Sequence, residues 1–237
     1  LGIMAQAPEF PKLAVDFRWD AGADLAGFVE AGNEAAVAAI RALGTPAGQW
    51  LYLSGPAGSG KSHLLQAACG RIGAAGGTAV YLPLRDHIQR GPALLDGLEQ
   101  VALVAIDDLE VLAGQPQWEE AVFHCHNRLR DAGGMLLAAA RGTPGSLGLA
   151  LPDLVSRLQA LLAFRLTPPD DARRRRILTL ALARRGLTLP GASIDYLLVH
   201  ETRDMPHLMA LVQRLDEASL RTGRRLTVPF IKSVLGR

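Results

Sequence analysis

Apolar residues along this chain alternate between short solid runs and stretches spaced three and four apart. The solid runs are WLYLSG (50–55), TAVYLPL (78–84), VALVAIDD (101–108), MLLAAA (135–140) and LLAFRL (161–166). Each has the length of a strand, and VALVAIDD is apolar on both faces, as a buried parallel strand is. Between them lie helical patterns. FVEAGNEAAVAAIRAL (28–43) sets Ala36, Val37, Ile40 and Leu43 at helical spacing, and KSHLLQAACGRI (61–72) follows the first strand. QWEEAVFHCHNRLRDAGG (117–134) carries a stripe of Trp118, Val122, Cys125 and Leu129, and a glycine pair stops it. LPDLVSRLQA (151–160) is a short amphipathic helix with one cation, Arg157. Strands alternating with helices predict a parallel sheet covered on both faces.

The pattern changes at TPPDDARRRR (167–176), after which no strand pattern follows. Helices are predicted near 170–185, 193–201, 206–222 and 228–235, each preceded by Pro, Asp, Ser or Thr. The expected fold is α/β. A domain with a five-stranded parallel sheet flanked by helices covers 23–167, and a small all-helical domain covers 168–237. Residues 1–22 mix Pro, Gly and charges without a period and read as a tail.

Composition narrows the class. The 237 residues are 49% hydrophobic, enough for a sizeable core. A formal net charge of +2 does not mark a nucleic-acid binder. Two cysteines, Cys69 and Cys125, are too few for a disulfide framework and fit a reducing compartment. No signal-peptide pattern opens the chain, and no uncharged run approaches the ~18 residues of a membrane helix. The expectation is a soluble cytoplasmic protein.

The chemistry sits in GPAGSGKS (55–62), which fits G-x-x-x-x-G-K-[ST] after a strand and opening a helix. Gly55, Gly58 and Gly60 let the backbone turn its N–H groups toward phosphate oxygens, with Pro56, Ala57 and Ser59 completing the loop. The helix N-terminus adds partial positive charge. Lys61 reaches the β and γ phosphates, Ser62 is a candidate Mg²⁺ ligand, and His63 follows in the same turn. VALVAIDD supplies acids at a strand end, expected to lie beside the P-loop strand. Asp107 would hold Mg²⁺ through water and Asp108 would orient the attacking water. Adjacent acids ending a buried strand are costly without a cation to hold.

Taken in order, GPAGSGKSHLL, IDDLE, LPDLVSRL and the closing LTVPFIKSVL resemble the AAA+ module of the DnaA-related family, and within it the Hda-like regulatory inactivators of DnaA. The resemblance covers roughly 23–237. It implies an AAA+ P-loop domain with a helical lid, and ADP or ATP with Mg²⁺ as cofactors. FVEAGNEAAV (28–37) resembles the segment that packs on the adenine, with Phe28, Val29 and Asn33 at matching positions. Hda-like proteins bind ADP, attach to the DNA-loaded sliding clamp of DNA polymerase III and stimulate hydrolysis of the ATP held by DnaA. The implied partners are therefore DnaA and the clamp, with self-association left open. DnaA carries a DNA-binding domain after its lid. Because this chain ends after the lid's last helix, no dedicated DNA-binding domain is expected.

The sequence departs from the family pattern at four places. The clamp-binding peptide resembles Q-L-x-L-x-L/F. KLAVDF (12–17) keeps the apolar anchors Leu13, Val15 and Phe17 but has Lys12 for the glutamine, losing one amide hydrogen-bonding group. The strand MLLAAA ends in alanine where AAA+ ATPases place a polar sensor, and the nearest polar groups are Arg141 and Thr143. Pro206 stands where the lid usually has an arginine facing phosphate, with Arg203 three residues earlier. Asp108 replaces the usual glutamate, as it does across the DnaA-like branch. Weak hydrolysis in cis is the expectation.

Other features read as ordinary structure. His124 and His126 would lie about 200° apart on a helix and would not share an ion. Arg173–Arg176 would spread around a turn rather than form one patch. For Arg157 three roles compete: a surface charge, a cation for the chain's own nucleotide, and a cation for another protein's. The SRL context resembles a trans arginine finger, whose always-charged planar fork suits phosphate oxygens. Three functions follow: an activator of DnaA's ATPase, a self-hydrolysing helicase loader or remodeller, and an adaptor whose P-loop is a structural nucleotide clip.

Overall fold

The computed structural model describes residues 23–45, 48–202, 204–222 and 226–236. The tail with Lys12, Leu13, Val15 and Phe17, and Arg203 near the lid, lie outside the described residues. The chain divides into two compact units. One contains Gly32–Pro56 and Gly60–Thr167, and the other Pro168–Arg237 with the short segments Ala26–Ala31 and Ala57–Ser59.

The first unit is a parallel sheet wrapped by helices. Its strands are β1 (Leu51–Ser54), β2 (Ala79–Pro83), β3 (Leu103–Asp107), β4 (Met135–Ala140) and β5 (Leu162–Arg165). Its helices are α1 (Glu34–Ala42), α2 (Lys61–Ala74), the single turn α3 (Leu84–His87), α4 (Pro116–Asp131) and α5 (Pro152–Gln159). The sheet order is β2-β3-β4-β1-β5, with every pairing parallel. β1 and β3 are buried throughout, as the unbroken apolar runs predict, while β5 is an exposed edge.

This order corrects one expectation. β3, which ends in Asp107, does not lie beside the P-loop strand, because β4 pairs with both β3 and β1. Ala138, Ala139 and Ala140 at the end of β4 are small and buried, so the strand that separates the acid from the loop places no bulk between them.

α4 matches its stripe. Trp118, Val122, Cys125 and Leu129 are buried, Pro116 opens the helix, and Gly133 follows it with φ +74, a left-handed conformation suited to glycine. Glu119 and His126, on the border of that stripe, are buried as well. Glu119 Oε2 accepts the Leu151 N–H at 2.7 Å, tying the entry of α5 to α4. α5 buries Leu154 and Leu158 and leaves Arg157 part-exposed.

The second unit is helical, with α6 (Asp171–Arg184), α7 (Gly191–His200), α8 (Met205–Thr222) and α9 (Val228–Leu235). Leu178, Leu182, Leu197, Leu208, Val212, Leu215 and Ile231 form its core. The Asp170 side chain caps α6 by accepting the Arg173 N–H at 2.9 Å, and Asp204 accepts the His207 N–H at the start of α8 at 3.2 Å. Three of the four consecutive arginines have carboxylate partners: Arg173 with Asp170, Arg174 with Asp171 and Arg175 with Asp195. No described helix is long and apolar enough to cross a membrane.

The central and edge strands differ in what they stabilise. Leu137 in β4 is fully buried and Leu162 in β5 is 41% exposed. Leu137→Ala should cost about 2–5 kcal/mol, while Leu162→Ala should stay within about 0.5 kcal/mol. Urea unfolding of the two variants checks the contrast, and equal losses would contradict the sheet order.

Candidate nucleotide site and the placement of Arg157

The phosphate loop leaves β1 at Gly55 and enters α2 at Lys61. Gly58 (φ +72) and Gly60 (φ +98) take left-handed backbone angles that side chains disfavour. Among the described residues, the N–H groups of Gly58, Ser59 and Gly60 have no backbone acceptor, and the buried Ser59 Oγ has no hydrogen-bond partner. Lys61 is buried, and its Nζ donates to Gly55 O (2.7 Å) and Pro56 O (3.0 Å). Burial lowers the Lys61 pKa, opposed by the carboxylates of Asp107, Glu110 and Asp108. An ammonium, unpaired amides and an orphaned hydroxyl on one tight loop fit a phosphate chain.

Asp107 is 1% exposed at the end of β3. Its Oδ2 accepts the Tyr81 hydroxyl at 3.1 Å, and its Oδ1 accepts the Asp108 N–H at 2.9 Å. Burial raises its pKa. The Asp108 charge adds to that rise, while the Ser62 and Tyr81 hydroxyls and the Asp108 amide oppose it. Ser62 opens α2 beside this carboxylate, so a hydroxyl and a carboxylate, both hard oxygen donors, sit together and suit Mg²⁺ with phosphate oxygens.

Asp108 is the one non-glycine residue with positive φ (58°) among the described residues. That conformation costs roughly 1–3 kcal/mol and turns the side chain away from the strand direction. Arg85, just past β2, meets it at 3.4 Å and also reaches Glu110 at 3.3 Å. Glu110 in turn pairs with Arg141 at 3.1 Å and accepts the Arg141 N–H. The acid expected to orient water is therefore tied to a guanidinium. The residue after alanine-ended β4, expected as a stand-in sensor, is tied to Glu110. Thr143 is occupied with Ser146. Sequence reading passed over Arg85, Glu110 and Tyr81. Glu110 stood in the quoted IDDLE, but its partners lie 25 and 31 residues away.

Three expected nucleotide contacts are placed as follows. Phe28 and Val29 are half-buried. Asn33 is buried, its Oδ1 accepting the Thr167 N–H (2.8 Å) and its Nδ2 donating to Thr167 O (3.2 Å). Both ends of that amide thus join α1 to the chain after β5. His63 Nε2 lies 2.9 Å from Asp24 O.

Arg157 lies at the other end of the sheet. Its neighbours in a cleft are Trp50, Gly133, Gly134 and Leu161, residues just before β1, β4 and β5. The phosphate loop follows the opposite, C-terminal end of β1, about 13 Å of strand away. A cis role toward the loop is out of reach. His126, buried, lines this cleft, and His124, on the same helix, is exposed.

Residues 171–235 match the family model described as "Hda, lid domain". Solved structures of similar fold include domain III of the replication initiation protein DnaA from Thermotoga maritima, with a TM-score of 0.73. The two are 23% identical, and the match covers 90% of this chain and 95% of that one. AMPPCP-bound DnaA from Aquifex aeolicus aligns at TM-score 0.64 and 24% identity, covering 82% of this chain and 64% of that chain. The RuvB Holliday junction branch migration motor of Thermotoga maritima aligns at 0.63 and 16% identity, covering 88% and 69%. Residues 171–235 thus carry an Hda-type lid, and the chain as a whole has the fold of DnaA domain III.

In this lid α8 starts at Met205, with Pro206 exposed in its first turn. Proline suits that position because it has no N–H to leave unpaired. Asp204 caps the helix, and the adjacent His207 Nε2 lies 2.9 Å from Glu201. The side chains that open this lid helix are spent on capping and a local pair.

Two predictions follow from these charges. An acid whose folded pKa is raised adds stability below its unfolded pKa, about 3.9 for Asp, and loses it as pH rises through the folded value. In nucleotide- and Mg²⁺-free protein, Asp107→Asn should melt higher than the parent at neutral pH, by about 2–4 °C per kcal/mol recovered. The gap should close toward pH ~4. A pH-independent gap would contradict the buried-carboxylate account. Arg85→Ala should release Asp108 and raise basal ATP turnover several-fold, measured as phosphate release. Unchanged or lower turnover would show that the ion pair does not restrain this acid.

Proposed function

We propose that this chain is a nucleotide-dependent negative regulator of replication initiation. It binds ADP or ATP with Mg²⁺ at Gly55–Ser62 and presents Arg157 to the ATP held by DnaA, stimulating its hydrolysis. The observation that carries the reading is the place of Arg157. Its guanidinium sits at the sheet end opposite the chain's own phosphate loop and has no carboxylate partner among the described residues. A cation so placed serves a phosphate on another molecule better than its own. The match of 171–235 to the Hda lid supports DnaA as that partner.

The roles divide among the chain's own groups. The loop amides and Lys61 hold the phosphates, and Ser62 with Asp107 holds Mg²⁺, which supplies charge neutralisation there when bound. Asp108, paired with Arg85, makes hydrolysis in cis slow, so the bound nucleotide acts as a state marker rather than a substrate. This arrangement favours the activator over a self-hydrolysing loader or remodeller, which needs Asp108 free. Tethering to the sliding clamp through Leu13, Val15 and Phe17 is part of the proposal and rests on the sequence KLAVDF.

Arg157→Ala should retain ADP binding and lose the stimulation of DnaA-bound ATP hydrolysis, an effect of about 10³–10⁵ in rate where arginine fingers have been measured. ADP affinity and turnover by ATP-loaded DnaA, with the parent and the variant, provide the check. Stimulation that survives the substitution would refute the assignment.

A further inference from the structure

The cleft that holds Arg157 contains more than this arginine. It has a volume of about 420 Å³ and is lined by Trp50, His126, Arg130 and Arg157 with the backbone of Gly133 and Gly134. That size falls within the range of small-ligand sites, about 300–1,000 Å³. Its back wall is fixed. The Trp50 indole Nε1 donates to Gly134 O at 3.0 Å, and the indole meets the His126 ring edge-on, with centroids 4.8 Å apart at 78°. A Cβ at Gly134 would crowd Leu129 Cδ2 at 2.9 Å and Val101 O at 3.1 Å, so glycine gives this wall its closest fit.

The charges in this cleft do not balance. Among the described residues neither Arg130 nor Arg157 has a carboxylate within ion-pair distance. Arg130 Nη2 instead lies 3.5 Å from His126 Nε2. His126 Nδ1 lies 3.4 Å from Asn127 Oδ1. These partners suit the tautomer with hydrogen on Nδ1 and a lone pair on Nε2 facing Arg130. His126 is 2% exposed, and burial, with both guanidinium groups, pushes its pKa below the ordinary imidazole value. A buried histidine therefore contacts one of two guanidinium-bearing residues that line the cleft, and no carboxylate is among the lining residues.

We propose that this cleft is an oxyanion receptor in which Arg130 and Arg157 jointly bind a phosphate group against the wall formed by Trp50 and His126. Two planar forks offer paired N–H donors to a tetrahedral oxyanion, and each guanidinium stays charged while it does so. Trp50 and His126 contribute shape and hold Arg130 in place. The inference uses the position of Arg157 and not its action on DnaA, so the two can fail separately.

Two sources supply such a group: a free phosphate compound, and the terminal phosphate of a nucleotide held by another protein. The test follows the Trp50 indole N–H resonance in the ¹⁵N-labelled full chain, assigned by Trp50→Phe. The phosphate loop is first saturated with ADP and Mg²⁺. Pyrophosphate should then shift the resonance saturably. Arg130→Ala and Arg157→Ala should each weaken that binding at least about tenfold, the value of one charge-assisted contact. Arg176→Ala, on the second unit, should not weaken it. In the second arm, DnaA loaded with AMPPCP or with ADP replaces pyrophosphate. A shift with the AMPPCP form alone, lost in Arg130→Ala, identifies the held nucleotide as the source. A shift with pyrophosphate alone identifies a free compound, and either result supports the receptor. Silence in both arms, or shifts indifferent to Arg130→Ala, would overturn it. Stimulation of DnaA lost in Arg157→Ala but kept in Arg130→Ala, with no pyrophosphate shift, would leave the trans arginine standing and remove the receptor.

Discussion

All five strands run the same way, and that direction separates the two chemistries of this protein. In a parallel sheet every chain entrance gathers at one end and every exit at the other. β1 shows both: Trp50 lies at its entrance with the cationic cleft, and Gly55 lies at its exit with the phosphate loop. No side-chain rearrangement moves a group from one end to the other. The cations therefore divide into two sets with different tasks. Lys61 lies at the loop with the buried Asp107, and Arg157 lies at the far end, where the proposal places a phosphate from another molecule.

At the loop end, two buried charges constrain each other. Lys61 and Asp107 are both buried, and burial works against the charged form of each. Each has local partners: carbonyl oxygens for the ammonium, and a hydroxyl and an amide for the carboxylate. Because each charge has neutral partners of its own, neutralising Asp107 relieves its desolvation and leaves the Lys61 ammonium on the Gly55 and Pro56 carbonyls. The next acid is handled differently. Asp108 is more exposed, turned aside by its positive φ and held by Arg85. Two neighbouring carboxylates thus have opposite environments, one desolvated and poised for a cation, the other solvated and already paired with one.

The elements and the phosphate loop were legible because each is a local pattern. The last helix, for example, spans the predicted 228–235. What was misread is nonlocal. The apolar run of β3 and its terminal acids were plain, but its neighbours in the sheet were not, since strand order depends on crossovers rather than on the strand itself. Asn33 gave no local sign that its side-chain amide bridges to Thr167, a partner 134 residues away. Arg85 gave no signal at all, as its partners sit beyond β3. Trp50, His126, Arg130 and Arg157 come from a strand entrance, one helix and another, and nothing in their spacing announces a common cleft.

An arginine without a carboxylate partner is not by itself informative, because exposed guanidinium groups are well solvated and surface pairs contribute little. Arg176 on α6 is exposed and has no carboxylate partner among the described residues, while its three neighbours are paired. Arg130 and Arg157 differ in converging. Like charges that border one cleft repel, here beside the buried His126 and the half-buried Trp50. Either residue could turn to solvent, yet a buried histidine contacts Arg130, and a helix tied by Glu119 brings Arg157 to the same place. Groups held together against their own repulsion point to an anion that the folded chain does not itself supply. The same argument distinguishes this cleft from the arginine run on α6, whose first three charges are compensated within the chain.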